Sequence, residues 1–571
     1  MKYTREEYER FLNTEFETKQ NNFDQLINIR AITLKDQGKV FVGLFQGYGK
    51  NGMPIFKVRN SDHMPRKNSF WTAVDLRSEN GDMSKFKNWN NLSWLELRKQ
   101  FQSDYCNCLC AWVSKSDDFQ FCLVGIKNLT IDFVQNLERN TIIAFGPKDP
   151  PLQYLLNLID IVRDSTCEET KQILNFEDSP NKWSPKKIEA KTDFTSLLLS
   201  DVHDNKCIVV QGPPGTGKTY RMAQFAARLL ENNKSVLVTA LTNQALMELA
   251  KKEDIIPSLE NGKVSKTSLT VDESRELPHL QSIKDNLCNA SHGTLSLATF
   301  YLSSGWAKYA TDMPFDYVIM DEASQAFLPM IAAAMKLGKN VILIGDQNQL
   351  PPIVETKEDV IEKFHWESIV KGFDTICRNF SFKSYMLIDT FRLTQRGAES
   401  TGIFYNNELR SVSDTQEIPS KLSELNPKGG PVFVGMDLKF GSKVPMNAFD
   451  CIFKYAQEII IENPKAEIAI LSKFNECVDE LQKFFVIRWT RNKELPDNIR
   501  IATIDSVQGL TVDYCIFFIP NASHRYSLNN ELFNVATSRA RFNTIIVTDN
   551  SILQQNMSEE VRKYLLKAQE T

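Results

Sequence analysis

Eight consecutive residues, Gly212, Pro213, Pro214, Gly215, Thr216, Gly217, Lys218 and Thr219, have the composition of a phosphate cradle. Closely spaced glycines let backbone N–H groups turn inward onto phosphate oxygens. The lysine can reach the β- and γ-phosphates, and the hydroxyl after it can ligate Mg²⁺. The loop follows an apolar run, Cys207 to Gln211, and precedes a helical pattern from Met222 to Leu230. Strand, loop and helix are the setting this chemistry needs, because the helix presents its positive end to the anion. A chance glycine-rich turn would lack that setting.

Farther along, the apolar run Tyr317 to Met320 ends in Asp321 and Glu322. A carboxylate at the end of a buried strand can hold the shell of a Mg²⁺ ion. The second can polarise an attacking water as general base, so the pair points to hydrolysis rather than nucleotide binding alone. Alone, the pair would read equally well as a solvated acidic turn. Next, Val341 to Ile344 leads into Gly345, Asp346, Gln347, Asn348, Gln349, Leu350, Pro351 and Pro352. A glutamine there can hydrogen-bond a γ-phosphate or the attacking water. Two later segments, Thr503 to Gly509 and Asn534 to Arg541, contain polar and basic residues of the same kind. An arginine from a second domain that reaches the γ-phosphate would stabilise transition-state charge and tie hydrolysis to domain closure.

These residues require elements to position them. With 571 residues the chain has material for three or four domains at about 150 residues each. Apolar residues make up 42% and charged residues 24%, as in soluble globular proteins. A net charge of −4 argues against a protein that coats polyanions, but leaves room for a local basic track. The 11 cysteines form no paired C-x₂-C spacing. Cys106, Cys108 and Cys110 alternate, as on one face of a strand, and read as buried thiols rather than as a zinc or iron–sulfur site. Such usage suits a reducing, intracellular compartment. The charged N-terminus has no signal-peptide core, and no apolar run approaches the ~18 residues of a membrane span.

Helical spacing of Tyr8, Phe11, Leu12 and Phe16 predicts a helix before about residue 30. Short β-type runs at 40–45, 54–58, 121–126 and 141–145 predict a small β-rich domain. A helix over 152–175 and a connector at 179–185 follow. From about 190, apolar strands at 208–210, 236–238, 318–320 and 341–344 alternate with helical segments, and the pattern resumes at 467–471, 501–504, 515–519 and 544–547. This predicts an α/β fold with parallel sheets buried on both faces, in two tandem domains. The partition is 1–37 as a stalk helix, 38–150 as a barrel-like accessory domain, 151–185 as a second stalk helix and connector, 186–365 as the ATP-binding α/β domain and 366–571 as the second.

Taken in order, the motifs resemble those of superfamily 1 helicases, over roughly residues 205–550. The branch they resemble, 1B, contains the nonsense-mediated decay helicase, senataxin and the immunoglobulin mu-binding helicase. The resemblance implies two RecA-like P-loop domains behind a helical stalk and barrel. It implies ATP and Mg²⁺ as ligands and travel 5′ to 3′ on single-stranded DNA or RNA, with no membrane partner. Lys218, Asp321, Glu322, Gln349, Arg392 and Arg539 would be catalytic, with Thr219 and Asp321 on the metal. Phe391 could stack on adenine, and Gly509 would line the nucleotide. Thr242, Asn243, Thr299, Ser506 and Gln508 would meet the nucleic acid. Two positions depart from the family. The stretch Asp193 to Leu199 lacks the glutamine that reads adenine, and Leu510, Thr511 and Val512 replace an acid that contacts ribose. The segment 252–292, where relatives can insert a subdomain, is short and polar. The same motifs would also serve an ATPase clamp that remodels without unwinding.

Overall fold

A computed structural model describes residues 3–49, 52–59, 65, 69–77, 88–101, 106–115, 120–135, 137–178, 183–286, 288–413, 422, 424–439, 441–489, 496–507 and 509–570. The N-terminal helix α1 (Arg5–Ile27) buries Tyr8, Phe11, Leu12 and Glu15, one stripe at three- and four-residue spacing. Six strands follow: β1 (Phe41–Tyr48), β2 (Pro54–Arg59), β3 (Phe70–Asp75), β4 (Cys106–Lys115), β5 (Phe121–Lys127) and β6 (Ile142–Gly146). They close an antiparallel barrel in the order β1-β2-β5-β4-β3-β6. Its interior holds Phe41, Phe45, Phe56, Trp71 and Phe145 together with Cys108 and Cys110. Those two cysteines therefore lie on one buried face, while the Cys106 side chain lies outside the described residues.

Helix α2 (Gln153–Arg163) returns the chain from the barrel to the stalk. Both stalk helices pack on the next domain: the Phe11 ring meets Phe327 at 5.3 Å and Trp366 at 5.6 Å, and Lys308 pairs with Asp160 at 2.7 Å. Part of the expected connector, 179–182, lies outside the described residues.

The first α/β domain is built on β7 (Lys186–Ile188), β8 (Cys207–Gln211), β9 (Val236–Ala240), β10 (Val264–Thr267), β11 (Gln281–Ile283), β12 (Leu295–Thr299), β13 (Phe315–Met320), β14 (Gly338–Gly345) and β15 (Lys383–Leu387). All neighbours are parallel, in the order β11-β10-β12-β9-β13-β14-β8-β15-β7. Apolar clusters cover both faces. The segment at 252–292 supplies β10 and β11, which extend one edge of this sheet.

The sequence partition began the second domain at 366, and here the structure differs. Phe373 and Ile376 join the core of the first domain, and β15 pairs with β8 and β7. The chain leaves the first sheet only after Leu387. A five-residue strand whose partners lie far back in the chain carries no local mark of the sheet it joins.

A two-stranded ribbon, β16 (Asp389–Thr390) with β17 (Arg410–Ser411), bridges the domains. The second sheet comprises β18 (Gly430–Met436), β19 (Ile468–Ser472), β20 (Ile499–Thr503), β21 (Val512–Ile519) and β22 (Ala540–Asp549). It is parallel throughout, in the order β18-β22-β21-β19-β20, with a core on each face. Among the described residues no helix is long and apolar enough to cross a membrane.

Candidate nucleotide site and nucleic-acid face

The fully buried strand β8 delivers the loop 212–217 to helix α3 (Lys218–Glu231). Gly215 and Gly217 have φ of +74° and +76°, a region that side-chain-bearing residues rarely enter. A Cβ on Gly215 would also stand 2.4 Å from Arg392 Cβ. The loop is thus shaped against the segment that opens the second domain. Phe391 N–H donates to Gly215 O (2.9 Å) and the Thr390 hydroxyl to Pro214 O (3.0 Å). The Phe391 ring, 53% exposed, comes within 4 Å of where a Gly217 Cβ would stand.

Lys218 folds its ammonium onto the loop carbonyls of Gly212 and Pro213. Burial lowers its pKa. Asp346 and Asp321 oppose that shift, and Arg392 and Arg539 reinforce it. The Thr219 hydroxyl donates to Asp321 Oδ2 at 3.3 Å, so the two expected metal ligands converge. Glu322 follows in the left-handed region (φ 54°, ψ 33°), a conformation that costs about 1–3 kcal/mol for such a residue. Burial, with Asp321 beside it, raises its carboxyl to about 7, against the pull of Lys218. A carboxyl poised near neutrality is what a general base requires.

Gln349 is buried and donates to Asp346 Oδ2 at 2.7 Å. Arg392 donates to Ser538 O (3.0 Å), which ties it to the turn between the helix Asn530–Thr537 and the second arginine, Arg539. Arg539 is 1% exposed, and its Nε donates to Val535 O at 2.7 Å. Burial lowers its pKa to about 10. Three residues with no role in the sequence reading stand out here. Asp346, Tyr405 and Asn534 form a buried hydrogen-bonded chain between the two domains. Asp346 and Asn534 sit in segments the sequence already singles out and could have been marked, whereas Tyr405 carries no such sign.

The expected nucleic-acid residues map to the C-terminal ends of strands. Thr242 and Asn243 are exposed just after β9, where the Thr242 hydroxyl caps the following helix by accepting Ala245 N–H (3.2 Å). Thr299 ends β12 and is 7% exposed. Ser506 is exposed on the turn after β20 and donates to Thr503 O at 2.7 Å. Gly509 is exposed with φ +79°. Gln508 lies outside the described residues. The nucleotide cluster and these positions share the sheet edge where open α/β folds bind ligands.

Two family models, each described as an AAA domain, match residues 294–357 and 371–551. The first match includes the carboxylate pair and the second both arginines. The chain is 25% identical over 400 residues to the DNA replication ATP-dependent helicase/nuclease DNA2 of Saccharomyces cerevisiae, which covers 60% of this chain and 25% of that protein. It is 22% identical over 504 residues to the DNA polymerase alpha-associated DNA helicase A of the same organism, covering 72% of this chain and 70% of that one. The chain thus spans about a quarter of the length of DNA2. A solved structure of Arterivirus nonstructural protein 10 (helicase) with DNA aligns at a TM-score of 0.34 and 14% identity, over 64% of each chain. The two family matches, these relatives and the motif order agree in supporting a superfamily 1 helicase.

Proposed function

We propose that this chain is an ATP-driven motor on single-stranded nucleic acid, a helicase or translocase that hydrolyses ATP between its two α/β domains. The observation that carries the reading is the convergence around one loop. Lys218, Thr219, Asp321 and Glu322 come from the first domain, while Arg392 packs on the loop at Gly215 and donates to Ser538 O, next to Arg539 of the second. A nucleotide module that merely binds needs no base and no arginine from a neighbouring domain.

In this reading the loop N–H groups and Lys218 hold the triphosphate. Thr219 and Asp321 would hold Mg²⁺, which screens phosphate charge when bound. The donor set suits a small hard cation, since one hydroxyl and one carboxylate oxygen already meet. Glu322 would take the proton of the attacking water. Gln349, Arg392 and Arg539 would touch the γ-phosphate, and Phe391 would cover the adenine. Thr242, Asn243, Thr299, Ser506 and Gln508 would contact phosphate and sugar along both domains, so binding would be largely independent of sequence. Closure on ATP and reopening after hydrolysis would move the strand, in the 5′ to 3′ direction that branch 1B resemblance implies. The cysteine usage supports an intracellular site of action.

The second reading is a clamp that hydrolyses ATP on nucleic acid without unwinding. Strand displacement measured beside ATPase activity separates the two. Displacement of a duplex with a 5′ single-stranded tail, dependent on ATP, supports the motor. Stimulated ATPase with no displacement on either tail polarity leaves the clamp and overturns the motor.

A further inference from the structure

The loop from Gly345 to Pro352 leaves β14 and carries Gln349. Its Asp346, 2% exposed, uses both carboxylate oxygens. Oδ1 accepts Asn348 N–H (3.2 Å) and Gln211 Nε2 (3.5 Å). Oδ2 accepts Gln349 Nε2 (2.7 Å) and, from beyond the first domain, the Tyr405 hydroxyl (2.6 Å). That hydroxyl in turn accepts Asn534 Nδ2 at 2.8 Å. Asn534 stands on the helix Asn530–Thr537 and also donates to Asn348 O (2.7 Å), while Asn348 Nδ2 donates back to Phe404 O (2.8 Å).

Tyr405 and Asn534 are 1% and 0% exposed, so the whole chain of groups is dry. Packing alone would be served by phenylalanine at 405, without a buried hydroxyl beside a carboxylate. Among the described residues the Asn534 Oδ1 has no hydrogen-bond partner, a defect that a cluster arranged for stability would avoid. The helix that receives this chain, with its C-cap Ser538, also contacts both arginines. Val535 O takes Arg539 Nε, and Ser538 O takes Arg392 Nη1. Two contacts therefore join the Gln349 loop to the helix Asn530–Thr537: Asn534 on Asn348 O, and the Tyr405 hydroxyl, which alone reaches the carboxylate that holds Gln349.

We propose that Tyr405 is a positioning residue whose hydroxyl links the Gln349 loop to the helix Asn530–Thr537, so that Arg539 is placed for hydrolysis only when that loop is in register. The proposal rests on the two-domain ATPase reading above. Tyr405→Phe leaves the ring and the Asn534–Asn348 O bond in place and removes only the hydroxyl contact to the Asp346 carboxylate that holds Gln349.

The test is a double-mutant cycle on the full chain, with ATPase measured at saturating oligo-dT or poly-U. Tyr405→Phe should lower kcat tenfold or more with KM for ATP within about twofold. In an Arg539→Ala background the same change should lower kcat less than twofold further, because a residue acting through Arg539 has nothing left to position. Asn534→Ala, which breaks the link from its other end, should repeat the pattern and stands in if Tyr405→Phe does not fold. A structural role predicts the same fold-loss in both backgrounds. That result, or wild-type kcat for both variants, overturns the proposal. If the wild-type chain itself shows no polymer-stimulated turnover, the ATPase reading falls and takes the proposal with it. Stimulated wild type with indifferent variants removes the proposal alone.

Discussion

Replacing Glu322 by glutamine keeps the side-chain shape and removes its charge, so it separates catalysis from folding. Burial, with Asp321 beside it, raises the carboxyl from 4.5 to about 7. A fold that raises a carboxyl pKa favours the protonated form. The ionised group therefore destabilises the fold increasingly as pH climbs from the unfolded value to the folded one, and by a constant amount above that. At about 1.4 kcal/mol per unit, Glu322→Gln should stabilise the nucleotide-free protein by about 3 kcal/mol at pH 8.5 and only about 1 kcal/mol at pH 5.5. Turnover should fall by about 10²–10⁴, the usual worth of a positioned base. Urea midpoints at the two pH values and ATPase rates at pH 8.5 read both effects. A variant that turns over ATP within tenfold of wild type refutes the base. Equal stability of the two proteins at both pH values refutes the electrostatic reasoning.

Three further outcomes follow from the geometry. Gly215→Ala should abolish nucleotide binding, measured by fluorescent-nucleotide titration, because its Cβ would collide with Arg392 and its φ is positive; binding within threefold of wild type would contradict the packing described. Arg539→Ala should reduce turnover by about 10³ while nucleotide still binds, and loss of binding with no turnover defect would argue against a finger role. Glu15, 0% exposed on α1, accepts Glu355 N–H (3.0 Å), Thr356 N–H (2.9 Å) and the Thr356 hydroxyl (2.6 Å), just past the Gln349 loop. Glu15→Ala strands those donors and should cost about 2–4 kcal/mol, read as a lowered urea midpoint; an unchanged midpoint would mean the stalk is not anchored there.

The phosphate loop and the carboxylate pair were legible because their chemistry is local. Glycines at positive φ, a lysine and two adjacent acids after a strand can be seen without knowing the fold. The same holds for β8, β9, β13 and β14, whose apolar runs stand out as doubly buried strands. What stayed hidden was tertiary. Strand β15 reads as a short polar–apolar run until β8 and β7 flank it. Glu15 breaks the apolar stripe of α1 and reads as solvated until backbone N–H groups from 355 and 356 meet it. Tyr405 and Asn534 acquire a role only when the domains bring Asp346 to them. Arg392 and Arg539 were singled out by resemblance. In the structure Arg392 packs against the phosphate loop and donates to Ser538 O beside Arg539, and burial lowers the pKa of both from the ordinary arginine range.

The central claim is that one site couples ATP hydrolysis to a nucleic-acid strand. Its most direct test is the steady-state ATPase rate of the full chain with single-stranded DNA, with single-stranded RNA and with no polymer, against Lys218→Ala as the blank. The account predicts stimulation of at least tenfold by one of the two polymers and none in the blank. A rate indifferent to both polymers, or one that survives Lys218→Ala, would contradict it.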